Sequence, residues 1–166
     1  ARVDARKTLL YVPSWRRSGY DLSYPDYTPA PDFAQRMQQA RDLGFRIMLH
    51  VNHFAVSVDS PVYEEMKAYH LRDPVTKQLM YWDWPYTNPP IKFAYINPAS
   101  KKWREFFVGR MVELCNKLRP DALHLDQTLV VLNDDNGLID GLNSMQGNIE
   151  LHKAIRVALP DVALSG

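Results

Sequence analysis

Polar side chains recur two residues apart near the ends of three apolar segments of this 166-residue chain. The three pairs are His50 and Asn52, Tyr95 and Asn97, and His124 and Asp126. Residues two apart on a β-strand lie on the same face, so each pair is predicted to share one surface while aliphatic residues occupy the other. Burying an unpaired polar group costs about 2–7 kcal/mol, so this repetition predicts a site better than it predicts a packed core.

Asp126 is the strongest candidate for chemistry in this set. A carboxylate that accepts hydrogen bonds is favoured in its ionised, nucleophilic form, and His124 and Asn97 are predicted to supply such bonds. Each residue also has a structural interpretation. His124 can be a hydrogen-bonded interior histidine, Asn97 an N-cap before Pro98, and Asp126 a loop aspartate that binds backbone amides. The individual residue types leave these alternatives open. The occurrence of all these polar residues at equivalent positions on several strands favours a functional site.

A substrate surface is predicted in the segments that follow the strands. Trp15, Trp82 and Trp84 offer flat faces for the apolar sides of sugar rings, and Asp21 can accept hydrogen bonds from sugar hydroxyls. The predicted substrate-binding set is Trp15, Asp21, His50, Asn52, Trp82, Trp84, Tyr95, Asn97 and His124. Each aromatic residue fits packing between a loop and the sheet equally well, but as a group they favour a carbohydrate as the partner.

Other functional classes leave weaker signals. The net charge of +1, without a basic stripe, argues against nucleic acid or membrane partners. No glycine-rich phosphate loop or G-x-S-x-G motif is present, and no cofactor or bound metal is predicted. A metal-dependent hydrolase remains an alternative because His50, His124 and Asp126 are suitable ligand types. His50 and His53 are three residues apart, however, so a continuous strand places them on different faces.

Strands and helices are predicted to alternate along the chain. Apolar periodicity, together with proline and glycine at the element ends, predicts strands over residues 8–15, 45–52, 92–97, 122–128 and 162–165, and helices over 31–43, 61–71, 98–118 and 148–159. The longest helix carries Trp103, Phe107 and Met111 on one stripe. Residues 72–90 are predicted to form a small hairpin or flap. This order predicts right-handed βαβ units, and hence an α/β fold with a mainly parallel sheet.

The chain is predicted to be one partial domain. A doubly wound sheet fits the length, whereas a (β/α)8 TIM barrel needs about 250 residues and would be represented by about five βα units, an incomplete barrel. Long connections follow the strands, at residues 16–30, 53–60 and 129–147, which is typical of a functional face at the strand C-termini. We expect the chain to be a fragment, with open sheet edges that permit self-association.

Three motifs resemble a known group of enzymes. INP at residues 96–98, WREFF at 103–107 and PDALHLDQ at 120–127 are similar to a stretch of the α-glycosidase-like TIM barrels, which include glycosyl hydrolases of uncharacterised families. Ala122 stands where these proteins commonly have glycine. The resemblance covers residues 95–128 well and the remainder only in layout.

The resemblance implies a glycoside hydrolase that acts on an oligo- or polysaccharide, with a secreted or periplasmic location. It identifies Asp126 with the catalytic nucleophile at the end of the fourth barrel strand. It also implies an acid/base carboxylate from a later strand, outside this chain. The alternatives are a carbohydrate-binding barrel without catalytic activity and an inert fragment of an enzyme.

Overall fold

A computed structural model describes residues 3–128 and 135–166 of the chain. In chain order the elements are β1 (Leu9–Val12), α1 (Phe33–Asp42), β2 (Arg46–Asn52), β3 (Ala55–Ser57), α2 (Pro61–Met66), β4 (Tyr81–Trp84), β5 (Ile91–Tyr95), α3 (Lys101–Leu118), β6 (Ala122–Asp126), α4 (Ser144–Ala158) and β7 (Ala163–Ser165). Short 3₁₀ turns lie at Ala5–Lys7 and Lys67–Tyr69. In the described part of the chain, no helix is long and apolar enough to cross a bilayer.

A parallel sheet forms the centre of the fold, as the sequence predicted. Its strand order is β1-β2-β6-β7, and all three neighbouring pairs are parallel. The register places His50 beside His124 and Asn52 beside Asp126. The helices connect successive strands, so the chain has a mixed α/β architecture with the strand C-termini at one edge.

The main difference from the predicted fold concerns the strand over residues 92–97, which was expected in the parallel sheet. Its counterpart β5 lies in a separate three-stranded antiparallel sheet of order β3-β5-β4. The chain turns directly after β2, where Asn52 Oδ1 accepts hydrogen bonds from the backbone amides of Phe54 and Ala55, and it then enters β3. The described residues therefore contain four parallel strands and not five, and these form an open sheet.

Residues 72–90, predicted to form a small hairpin or flap, contain β4, which forms a hairpin with the following strand β5. Asp73 Oδ1 accepts hydrogen bonds from the amides of Val75 and Thr76, which closes the preceding turn. Part of the long connection predicted over residues 129–147 lies outside the described residues, at 129–134. Its last residues belong to α4, which begins four residues earlier than predicted because Asn143 and Gln146 form a capping box.

The hydrophobic core lies between the parallel sheet and the helices. The aliphatic face of β2 and β6 is fully buried, as predicted from the alternation, through Ile47, Leu49, Val51, Leu123 and Leu125. The predicted stripe of α3 packs into the same core through Trp103, Phe107 and Met111. Because the aliphatic face covers this core, the polar residues of the same strands must face the opposite side of the sheet.

Candidate functional site

The polar face of the sheet brings residues from β1, β2 and β6 together. The imidazole rings of His50 and His124 lie 5.7 Å apart, centroid to centroid. The Tyr11 ring packs edge-on against both, at 5.9 Å from His50 and 5.3 Å from His124. Asn52 and Asp126 lie one step further toward the C-terminal ends of their strands. The predicted grouping of His50, Asn52, His124 and Asp126 on one face is therefore present.

Asp126 ends β6 with its side chain partly exposed, beside a fully buried Asn52. The Asn52 side-chain nitrogen donates to Asp126 Oδ2 at 3.4 Å. Asn52 Oδ1 meanwhile accepts from the amides of Phe54 at 3.0 Å and Ala55 at 2.9 Å, which fixes the orientation of the carboxamide. The turn after β2 thus presents an N–H donor to the Asp126 carboxylate.

His124 lies beside Asp126 with part of its ring exposed, and its Nδ1 is 3.4 Å from the Ser165 hydroxyl. Burial and the neighbouring His50 lower the pKa of His124, while the charge of Asp126 acts in the opposite direction. The net lowering keeps the imidazole neutral at neutral pH, so His124 serves this face as a hydrogen-bonding group and not as a cation.

Asp21 and His50 differ from the prediction, because the structure buries both. Asp21 is 2% exposed and His50 is 1% exposed, so neither presents a surface to a substrate in this structure. Asp21 accepts a hydrogen bond from the Tyr24 hydroxyl at 2.6 Å and lies 3.7 Å from the Arg16 guanidinium. His50 contacts Asp21 on one side and Tyr11 on the other. Their predicted role in direct sugar contact is therefore not supported.

Tyr95 and Asn97 come from the antiparallel β5 segment and not from a parallel strand. Tyr95 is half-buried, and its pKa is raised by burial and by the charge of Asp126, against a hydrogen bond with Gln127. The charge of the candidate nucleophile therefore acts on the Tyr95 hydroxyl. Asn97 is fully buried, and its Oδ1 accepts from the Ala99 amide at 2.9 Å in the turn before α3. Asn97 therefore stabilises this turn, and the N-cap of α3 is Ser100, whose hydroxyl accepts from the Trp103 amide, so the predicted N-cap role of Asn97 is wrong.

The predicted aromatic surface separates into core and site residues. Trp15 is fully buried, donates its indole N–H to the His50 carbonyl and stacks on Tyr27, so in this structure it is a core residue that exposes no face to a ligand. Trp82 is half-buried and stacks on the core residue Phe93. Trp84, also half-buried, packs edge-on against Tyr20 at 5.6 Å and so approaches the polar face.

Tyr11 and Tyr20 also contact this face, although the predicted substrate-binding set does not include them. Tyr11 is 45% exposed and Tyr20 is 36% exposed. The Tyr20 ring lies 5.2 Å from His50, and burial together with the charge of Asp21 raises its pKa. The signal for Tyr11 is its position on the polar face of β1, and the signal for Tyr20 is its place among the aromatic residues of the loops.

The predicted metal ligands do come together, since His50, His124 and Asp126 offer atoms that lie within 4.8 Å of one another. The His50 nitrogens, however, already have neighbours. Nδ1 lies 2.6 Å from the Tyr11 hydroxyl, and Nε2 lies 3.6 Å from Asp21 Oδ1. A metal ion would have to displace one of these contacts, so the hydrogen-bonding arrangement accounts better for His50.

Sequence comparison identifies the family. Residues 5–135 match the family described as Domain of unknown function (DUF6259), which is well over half of the chain. The chain belongs to this family. A comparison with curated proteins finds no match.

Solved structures that are similar to this chain include three glycoside-processing enzymes. The α-N-acetylgalactosaminidase NagBb from Bifidobacterium bifidum, in complex with GalNAc, superposes with a TM-score of 0.71 and 13% identity over 94% of this chain and 25% of its own. The α-galactosidase TtGalA from Thermus thermophilus, in complex with stachyose, gives 0.60 and 18% over 88% and 30%. A cycloisomaltooligosaccharide glucanotransferase from Paenibacillus sp. gives 0.63 and 16% over 97% and 26%.

The TM-scores of 0.60–0.71 show a shared fold. The chain spans about a quarter to a third of the length of the structures it matches. It therefore has the fold of part of a glycoside hydrolase, which confirms the coarser part of the resemblance inferred from the sequence motifs.

Proposed function

We propose that the full-length protein is a glycoside hydrolase, that this chain forms part of a (β/α)8 barrel, and that Asp126 is the catalytic nucleophile. The observation that carries the proposal is the position of Asp126. Its partly exposed carboxylate ends a parallel strand and faces a buried amide donor of fixed orientation. Functional residues of barrel enzymes lie at this edge of the sheet.

The surroundings of Asp126 suit a nucleophile. The Asn52 N–H holds Oδ2, which favours one carboxylate rotamer and leaves Oδ1 available for attack on an anomeric carbon. Retaining hydrolysis also requires a second carboxyl group about 5–5.5 Å away to protonate the leaving oxygen. We assign that acid/base residue to a part of the full-length protein outside these residues. Water would then hydrolyse the glycosyl-aspartate intermediate.

An α-linked glycoside is the proposed substrate class. The motif resemblance and the fold both point to enzymes of this kind, and two of the similar structures are an α-N-acetylgalactosaminidase and an α-galactosidase. On this chain, Trp84 and Tyr20 form an aromatic wall beside the polar face, which suits the alternating polar and apolar sides of a sugar ring.

The proposal is tested with Asp126→Asn in the full-length protein, assayed on p-nitrophenyl α-glycosides and natural α-linked oligosaccharides. The amide keeps the shape of the side chain but lacks the attacking charge, so turnover should fall by several orders of magnitude with an unchanged melting temperature. Asp161→Asn is the matched control, because it removes an exposed carboxylate from the turn between α4 and β7, and it should retain full turnover.

The same assay separates the alternatives. Turnover of Asp126→Asn within about tenfold of the wild type, roughly 1.4 kcal/mol of barrier, would remove Asp126 from the nucleophile role. Glycan binding without turnover by the wild-type protein would identify a carbohydrate-binding barrel. Turnover that a chelator abolishes and a divalent cation restores would instead support the metal-dependent hydrolase.

A further inference from the structure

A buried chain of contacts leads from Asp21 through His50 to Tyr11 on the polar face. Asp21 Oδ1 lies 3.6 Å from His50 Nε2, and His50 Nδ1 lies 2.6 Å from the Tyr11 hydroxyl oxygen. Asp21 and His50 are almost fully buried, whereas Tyr11 is 45% exposed. The exposed end of this chain is therefore a phenol hydroxyl, beside His124 and on the same face as Asp126.

Asp21 is built into the structure as a fixed anion. It lies between the Tyr24 hydroxyl at 2.6 Å and the buried Arg16 guanidinium at 3.7 Å, on a backbone held in the left-handed region at φ 52°. Burial opposes ionisation of Asp21, but contacts with His50, Tyr24 and Arg16 outweigh it and lower its pKa. A charged carboxylate is thus present on the Nε2 side of His50 at neutral pH.

This anion determines where the imidazole proton resides. Nε2 is buried and makes no hydrogen bond within 3.5 Å in the described residues, and Asp21 lies just beyond that distance. The negative charge favours the tautomer with hydrogen on Nε2, because the N–H dipole then points at the carboxylate. Nδ1 is left with a lone pair, so the 2.6 Å contact requires Tyr11 to donate its hydroxyl proton to His50.

The direction of this hydrogen bond determines what Tyr11 can offer to a ligand. With its proton directed into the protein, the phenol oxygen presents only lone pairs to the polar face. Burial and the charges of Asp126 and Asp21 raise the pKa of Tyr11, so the hydroxyl stays protonated over the neutral range. An oxygen of this kind accepts a hydrogen bond from a sugar hydroxyl but donates none.

We propose that Tyr11 is a substrate-binding residue whose oxygen accepts a hydrogen bond from a sugar hydroxyl, and that Asp21 and His50 are positioning residues that act through it. The role in sugar binding rests on the proposed glycosidase function. The arrangement of the hydrogen bonds does not, and it has its own test.

The tautomer is measured by NMR on the full-length protein labelled with ¹⁵N-histidine, with His50 assigned by loss of its signals in His50→Gln. The expected spectrum shows hydrogen on Nε2 of His50 and a lone pair on Nδ1. Hydrogen on Nδ1 would make Tyr11 an acceptor toward His50 and would overturn the proposal. This result is independent of any enzymatic activity.

The binding role is measured by steady-state kinetics on p-nitrophenyl α-D-galactopyranoside, a ligand bound by one of the similar structures. Tyr11→Phe should raise KM about three- to tenfold, the effect of one neutral hydrogen bond, with kcat little changed. Tyr81→Phe removes a phenol hydroxyl at the start of β4, where the Tyr81 ring packs against His70, and should have no effect.

A double mutant tests whether Asp21 acts through Tyr11. Asp21→Asn should raise KM by a similar factor, and Asp21→Asn combined with Tyr11→Phe should be no worse than the more affected single variant. If the increases in KM of the two single variants multiply in the double variant, Asp21 contacts the substrate directly, which would contradict the proposal. An unchanged KM in Tyr11→Phe would show that Tyr11 does not bind the substrate. Absence of turnover in the wild type would count against the proposed function, while the NMR result would still decide the hydrogen-bond arrangement. If Asp21→Asn fails to fold, the tautomer and Tyr11→Phe still decide the proposal.

Discussion

A methyl group at Gly147 should destabilise the protein, although alanine is the better helix former. Gly147 lies in the first turn of α4 where the helix crosses the segment before α3. A Cβ there would lie 2.2 Å from the Ala99 backbone nitrogen and 2.4 Å from the Pro98 carbonyl carbon. Backbone atoms cannot rotate away, so α4 would have to shift. Overpacking of this kind typically costs about 1–3 kcal/mol, and a clash with backbone belongs at the upper end.

Gly109 provides the matched control. It lies in α3 on the exposed side, and a Cβ there meets no heavy atom within 4 Å. Gly109→Ala should therefore gain the full helix preference of about 1 kcal/mol, while Gly147→Ala should lose about 2 kcal/mol net. For a protein of this size the loss corresponds to a decrease in Tm of about 4–8 °C, measurable by calorimetry. Equal or higher Tm for Gly147→Ala than for the wild type would refute the packing of α4 against the Pro98–Ala99 backbone.

Three further predictions concern the site, the core and the sheet edges. Asn52→Asp keeps the oxygen that caps the turn but places a second carboxylate 3.4 Å from Asp126, so kcat/KM should fall at least tenfold with Tm reduced by only a few degrees. Burial lowers the pKa of His53 to about 3, so the unfolded chain binds a proton that the native state does not, and stability should fall between about pH 6.5 and pH 3, by up to about 1.4 kcal/mol per pH unit. Urea titrations of His53→Gln should lose this component of the pH dependence. The isolated 166-residue chain should self-associate in light scattering through the open edges of β1 and β7, and a monodisperse monomer would count against this.

The features predicted correctly were those that burial imposes on the sequence. β2 and β6 have one face against the helices, and a shift of one residue would bury the polar set, so the aliphatic alternation at Ile47, Leu49 and Val51 determined which residues lie on the site face. The stripe on α3 was visible for the same reason. These patterns are sufficient to group His124 and Asp126 with His50 and Asn52 from the sequence alone.

The features that were missed depend on contacts distant in sequence. The apolar alternation over residues 92–97 suits a parallel or an antiparallel strand equally, and pairing with β3 and β4 decides between them. Burial of Trp15 and Asp21 likewise depends on how the segment after β1 folds back over the sheet. One missed feature, the early start of α4, does have a local signal in the sequence: Asn143 and Gln146 have the three-residue spacing of a capping box.

The nucleophile assignment is tested most directly by trapping the covalent intermediate. The full-length protein is incubated with a slowly hydrolysed fluorinated α-D-galactosyl fluoride, digested, and sequenced by mass spectrometry. We expect one glycosyl adduct on Asp126, and none on Asp126→Asn under the same conditions. An adduct on a different carboxylate, or efficient hydrolysis with inverted anomeric configuration and no adduct, would contradict the account.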